Sequence, residues 1–455
     1  MPYNRHILNH LVAWGKEPVR KPLVLRGARQ VGKSTIVRML AQKLQLDLVE
    51  VNLERDRDYA SLFKTGDPKT TLQLLSLKLN KPIHPSKSLL FLDEIQTAPE
   101  ILALLRYFYE DIPGLHIVCA GSLLEFALQE VSFSMPVGRI EYIYLGPMTF
   151  SEFLVALDQQ GLAEYLKNFH YQQTIPEAIH NQFMHFTKLY HIVGGMPEAI
   201  SKFAVTQDFI QVERTKHSIL ETYQDDFTKY STPHQENRLR EVFNKISLLI
   251  GKKLKYSEIN NHVKSTVIAN TLEKLTLARI IYLIRHTAAN GIPLGAEINS
   301  KIMKPLFLDI GLLVTQCGIG LLNITNIEDL TLINNGAMAE QFIGQHLLYL
   351  PPYYKKPELY YWHREKKSSQ AEVDYVLSVG QHIIPIEVKA GKTGRLRSLQ
   401  LFGHEKNPAL SVRFNCDAPS FLNASTDERS FDLLSLPLYL VEELQRLVQL
   451  KLEQN

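Results

Sequence analysis

Eight consecutive residues, Gly27-Ala28-Arg29-Gln30-Val31-Gly32-Lys33-Ser34, space two glycines, a lysine and a hydroxyl as a phosphate-binding loop requires. Glycines let backbone N–H groups wrap the phosphates, and the helix that begins behind them offers its positive N-terminus to the same anion. Lys33 is expected to reach the β- and γ-phosphates of a nucleotide and Ser34 to hold Mg²⁺, with Thr35 leading into the helix. Downstream, the apolar run Ser88-Leu-Leu-Phe-Leu ends in Asp93-Glu94. Two carboxylates at a strand end suit Asp93 beside the Mg²⁺ and Glu94 where it polarises an attacking water, which points to hydrolysis of ATP rather than binding alone. Ser122, in Ala120-Gly121-Ser122, is a candidate for orienting that water. Arg139, after Gly138, is a candidate for steadying transition-state charge, in its own site or in a neighbouring subunit's.

A second constellation lies near the C-terminus, where Ala371-Glu-Val-Asp374 is followed by Ile384-Pro-Ile-Glu387-Val-Lys389. In a hairpin, Asp374 and Glu387 would converge on one divalent cation, with Lys389 on the side of Glu387 because strand side chains alternate. This resembles the arrangement of PD-(D/E)xK nucleases, in which the metal activates water and the lysine steadies developing charge. Glu340, on a preceding helical segment, matches the extra acidic position of such sites. The spacing alone also suits a hairpin with solvated charges. Between Gly251 and Pro305 there are nine Lys and Arg (Lys252, Lys253, Lys255, Lys264, Lys274, Arg279, Arg285, Lys301, Lys304) against three acids (Glu258, Glu273, Glu297), the local excess that contact with DNA phosphates needs. A formal charge of only +3 over 455 residues confines any such surface to that region. A helix starting at Ser265-Thr266 would turn Asn270 and Lys274 outward, for reading DNA or equally for docking a protein.

The elements that must position these groups change character along the chain. Over 1–150, short apolar runs at Pro22–Leu25, Asp47–Val51, Ser88–Leu92 and His116–Ala120 alternate with helical patterns, which predicts a parallel sheet flanked by helices. Helical periodicity takes over in 151–235, as in Ile179–Ile192 and Phe209–Tyr230, interrupted by Gly194-Gly195-Met196-Pro197. The order helix, turn, helix, hairpin over 236–330 suits a winged helix-turn-helix. In 331–455, a helix and strands at Glu358–His363, Val373–Val379 and Ile383–Val388 predict a further α/β domain. Cys119, Cys317 and Cys416 are too far apart for a zinc or redox motif and read as small hydrophobes in a reducing compartment. Neither a leader peptide nor a membrane span is legible, so a cytoplasmic location is expected.

The loop, together with Leu92-Asp-Glu-Ile-Gln96, Gly121-Ser122, Gly138-Arg139, Pro147-Met-Thr-Phe-Ser-Glu-Phe153 and Gly194-Gly-Met-Pro-Glu198, resembles a group of bacterial and archaeal AAA-like ATPases. That resemblance implies an α/β fold with an AAA-type P-loop core (1–150), a helical lid (151–235), a winged helix (236–330) and a restriction-endonuclease-like domain (331–455). It also implies that the Gly194-Gly195-Met196-Pro197 turn touches the nucleotide or senses its state. The expected function is Mg²⁺-dependent ATP hydrolysis by a homo-oligomer, coupled to a DNA-directed nuclease-like module. The alternative is a nucleotide-gated scaffold whose C-terminal domain binds without cutting.

Overall fold

The computed structural model describes residues 3–130, 138–319, 335–366, 369–390, 396–425 and 430–454. The chain divides into two units. One comprises Met1–Gly146 with the short pieces Leu277–Arg279 and Pro351–Lys356; the other comprises Pro147–Thr276, Ile280–Leu350 and Pro357–Asn455.

In the first unit, β1 (Leu23–Arg26), β2 (Asp47–Asn52), β3 (Ser88–Asp93), β4 (His116–Ala120) and β5 (Glu141–Tyr144) pair in parallel in the order β2-β3-β4-β1-β5. Every residue of β3 and β4 is buried. Strands covered on both faces carry unbroken apolar runs rather than alternation, which is why these two were legible. Helices including Lys33–Leu44, Pro68–Leu79 and Ile101–Asp111 cover the sheet, and Leu72, Leu75, Leu105 and Phe108 pack with Leu90, Leu92, Ile117 and Cys119. The sequence reading missed β5, whose Glu141 and tyrosines do not form an apolar run. Since β4 lies between β3 and β1, the C-terminal ends of all three meet, the place where such sheets bind ligands.

The second unit opens with helices, among them Phe150–Ala156, Glu177–Val193, Pro197–Thr206, Phe209–Asp225 and Pro233–Ile246. The last starts at a capping box of Thr232 with Gln235. Then β6 (Ile281–Thr287), β7 (Ile298–Phe307), β8 (Tyr360–Lys366), β9 (Ser369–Val379), β10 (His382–Val388), β11 (Ser411–Asn415), β12 (Ser420–Ser425) and β13 (Ser430–Pro437) form one sheet, ordered β12-β13-β11-β10-β9-β8-β6-β7. The β6–β7 hairpin, expected as the wing of a separate module, is therefore continuous with the C-terminal strands: β6 pairs in parallel with β8 through Arg285↔Tyr360 and His286↔Tyr361. Pairing over such a sequence distance leaves no local mark. The expected domain boundary between 330 and 331 lies outside the described residues. Among the described residues no helix is long and apolar enough to cross a membrane.

Candidate functional site

The phosphate-binding loop is shaped by its own sequence. Gln30 and Gly32 take left-handed conformations, φ 63° and 95°. At Gly27 a Cβ would stand 2.3 Å from the Leu145 carbonyl oxygen, so only glycine fits there. The helix Lys33–Leu44 starts directly after Gly32. A buried arginine that sequence reading overlooked braces the loop: Arg5 donates from Nη1 to the Val31 carbonyl (3.1 Å) and from Nη2 to that of Gly146 (2.9 Å).

Lys33 Nζ donates to the carbonyls of Gly27 (3.0 Å) and Ala28 (2.7 Å). Burial pulls its amine down to about 8, against the raising influence of Glu94, Asp93 and Glu125; Arg29 adds a further lowering charge. Ser34 Oγ donates to Asp93 Oδ2 at 2.8 Å, and burial pushes the Asp93 carboxyl above its usual value. A hydroxyl and a carboxylate already in contact are the donor pair that fits Mg²⁺ in a nucleotide site. Glu94, left-handed at φ 54°, donates its N–H to Asp93 Oδ1 (3.1 Å), and its own Oε2 accepts from Gln96 Nε2 (2.7 Å). Gly121 makes room for Gln96, whose Oε1 would lie 2.3 Å from a Cβ at that position. Ser122 is buried just beyond β4, and Thr35 is exposed on the first turn of the helix.

Two arginines hold ion pairs in the first unit. Arg139 forms an ion pair with Glu110 (2.9 Å) on the helix Ile101–Asp111, with its side chain about half exposed. Arg279, expected in the basic surface, belongs to the first unit and is buried. Its Nε and Nη2 donate to Glu125 Oε1 at 2.8 and 2.6 Å, and its guanidinium stacks on Tyr144. Glu125 also faces Arg26 at 3.9 Å and acts electrostatically on Lys33, which links this pair to the loop.

In the second unit β9 and β10 form the expected antiparallel hairpin, and Asp374 and Glu387 lie one step beyond the Ile386↔Tyr375 pair. Asp374 Oδ2 accepts from the Val388 N–H (2.8 Å), and Lys389 pairs with Glu387 Oε1. Glu340, on the helix Asn335–Leu348, joins them. The unexpected member is Lys304 of β7. It is 1% exposed, and its Nζ contacts Glu340 Oε2 (2.9 Å), Glu372 Oε1 (2.7 Å) and Asp374 Oδ1 (3.7 Å). Burial lowers the Lys304 amine, but Glu340, Asp374 and Glu372 outweigh it and hold it well above its usual value. Burial, with Asp374 next, pushes Glu340 and Glu387 up to about 8. Glu387 Oε2 is buried without a hydrogen-bond partner. Among the described residues no group of three or more His, Cys, Asp or Glu is arranged to hold a metal. The cluster in this form fits a divalent cation poorly, because a buried ammonium already holds one oxygen each of Glu340 and Glu372 and stands beside Asp374. Two of the nine counted basic residues, Arg279 and Lys304, are therefore buried in ion pairs and cannot contact phosphate. Lys252, Lys255, Lys264, Arg285 and Lys301 are exposed.

The Gly194-Gly195 turn is tied within the second unit. Gly194 N–H donates to the Tyr190 carbonyl (2.8 Å), Gly195 N–H to Asp309 Oδ2 (2.6 Å), and the Gly195 carbonyl accepts from Met148 N–H (2.7 Å). Asp309 and Lys216, both fully buried, were not singled out from sequence. Lys216 donates to the Ile192 carbonyl and pairs with Glu213.

Residues 19–154 match the AAA domain model, and with the strand order and loop geometry they define an AAA-type P-loop, nucleotide-binding ATPase domain. Residues 184–323 match a domain of unknown function (DUF8612) and residues 335–436 another (DUF4143). No curated protein matches the chain. Among solved structures, Caenorhabditis elegans PCH-2 is similar at 14% identity and TM-score 0.27 over 44% of this chain and 62% of that one. The Thermotoga maritima RuvB Holliday junction branch migration motor is similar at 14% identity and TM-score 0.30 over 66% and 93%. Superpositions this loose add nothing to the AAA-domain match.

Proposed function

We propose that this chain is a Mg²⁺-dependent ATPase whose nucleotide state controls a DNA-directed, nuclease-like second unit. The observation that carries the ATPase reading is the Ser34–Asp93 contact at 2.8 Å beside the buried Lys33, with Glu94 next in sequence. In this reading the loop N–H groups of 27–32 bind the phosphates, and Lys33 leaves its carbonyl partners to neutralise them. Bound Mg²⁺ would supply charge neutralisation between phosphate oxygens. Ser34 and Asp93 would hold the cation, Glu94 would draw the proton from the attacking water, Gln96 would orient Glu94, and Ser122 would orient the water. Arg139, in a loose surface pair, is free to act in a neighbouring subunit of a homo-oligomer. The exposed lysines and arginine of 251–305 would meet DNA phosphates, and a cytoplasmic location goes with the reducing compartment assumed for its thiols.

An ATPase assay with and without single- and double-stranded DNA, alongside sizing in ATP and ADP, tests this. Glu94→Gln is expected to abolish turnover while nucleotide binding persists; turnover near wild type in that variant sinks the hydrolytic assignment. The second reading, a nucleotide-gated scaffold that binds without cutting, is favoured by one observation: Lys304 Nζ sits among the carboxylates that a nuclease would need for metal.

A further inference from the structure

The acidic cluster of the second unit carries the residue types of a metal-dependent nuclease, yet a lysine from a different strand runs into it. Lys304 Nζ lies 2.9 and 2.7 Å from one oxygen each of Glu340 and Glu372 and 3.7 Å from one of Asp374. The first two are ordinary charge-assisted hydrogen-bond lengths, and on one oxygen each of Glu340 and Glu372 the amine competes with a divalent cation, which would bind at about 2.0–2.6 Å. The Tyr361 ring also lies by the amine, at 5.6 Å. The helix carrying Glu340 is fixed on β9, where Tyr375 donates its hydroxyl to the Glu340 carbonyl (2.7 Å). A metal added to this arrangement would sit against a buried like charge, in surroundings where repulsion is weakly screened. At the same time Glu387 Oε2, buried and without a partner, is a carboxyl oxygen left over at the edge of the cluster.

We propose that Lys304 is a built-in cation standing in for a metal among Glu340, Glu372 and Asp374. The wild-type cluster then binds no Mg²⁺ or Mn²⁺, and removing the amine turns it into a divalent-cation site. The inference rests on reading the cluster as nuclease-like only for its residue set, so cation binding and cleavage are measured apart.

The test is Mn²⁺ binding to the nucleotide-free full chain, followed by calorimetry and by the paramagnetic resonance of free Mn²⁺. Only binding that Asp374→Asn removes is counted, which sets the phosphate-loop site aside. Wild type is expected to show none up to roughly 1 mM, the weak end of protein cation sites. Lys304→Met, which keeps the aliphatic stem and loses the charge, is expected to gain one Mn²⁺ with affinity at least about tenfold tighter than that limit. Asp374-dependent binding in wild type overturns the proposal, as does a folded Lys304→Met protein that gains no site. If Lys304→Met does not fold, Lys304→Gln, which keeps a hydrogen-bond donor and loses the charge, replaces it under the same two criteria. Cleavage of a plasmid is then assayed with Mn²⁺. Asp374-dependent cutting by wild type overturns the inference but supports the nuclease reading. A Lys304→Met protein that holds Mn²⁺ and does not cut supports the inference and removes the nuclease reading.

Discussion

The amine of the buried Lys33 is satisfied by the carbonyls of Gly27 and Ala28. Burial leaves its amine at about 8, whereas phosphates require it charged. Nucleotide binding above pH 8 must then take up a proton, so affinity is expected to fall as pH rises from 8 to 10, with a limiting slope of about tenfold per unit. Titration of a fluorescent nucleotide across that range checks it; a flat profile sinks the assignment. Lys33→Ala should weaken binding by more than about tenfold, a loss above ~1.4 kcal/mol. Gln96 acts one step removed, through its 2.7 Å hydrogen bond to Glu94. Gln96→Ala is expected to lower kcat by about tenfold with KM within about twofold, because a loosened base affects the transition state more than binding; equal loss in both points to a merely structural role. The loop and the Asp93-Glu94 pair were legible because each residue answers a demand set by its immediate neighbours. Arg5, Arg279 and Lys304 were not, since each acts on groups tens of residues away, and Arg279 and Lys304 counted as surface charge until their carboxylate partners were seen.

Strands announce themselves when both faces are covered, as β3 and β4 do, and fall silent when pairing alone defines them, as with β5 and the β6–β8 contact. The Gly194-Gly195 turn falls between these cases: a helix break was legible, its partners were not. Gly194 has φ 80°, and a Cβ there would stand 2.3 Å from Asp309 Oδ1 and 2.8 Å from the Gly311 Cα. The second clash is with backbone and cannot be relieved by turning a side chain. Gly194→Ala is therefore expected to cost about 2–4 kcal/mol, from the left-handed conformation and the overlap together. Gly161, within the helix Gln160–Asn168 and with open space where a Cβ would go, is the control. Gly161→Ala should stabilise by about 0.5–1 kcal/mol through helix propensity. Urea unfolding of both variants, with unchanged slopes, decides it; equal midpoints for the two sink the account of the turn.

The two units place ionisable groups in burial of opposite consequence, which makes the response to pH differ along one chain. Lys33 in the first unit has a lowered amine, so between about 8 and the ordinary lysine value of 10.5 the unfolded state binds more protons and that unit gains stability as pH rises. Glu387 in the second unit has a raised carboxyl, through burial and then Asp374, despite its pairing with Lys389. Its folded form keeps a proton that the unfolded form gives up from the ordinary glutamate value of 4.5 upward, so the stability it contributes is fully present below 4.5 and is lost as pH rises to about 8. Hydrogen exchange in β9 and β10, corrected for intrinsic rates, should therefore show local opening becoming easier between pH 5 and 8 by at least about 1.4 kcal/mol, the worth of one pKa unit. Glu387→Gln removes the charge at nearly constant shape and leaves Lys389, about a third exposed, to water. That variant is expected to lose the pH slope in β9 and β10 and to be the more stable form at pH 8. If the slope survives the substitution, Glu387 is ionised throughout with Lys389, and the cost of crowding carboxylates around Lys304 falls on Glu340 and Asp374 instead.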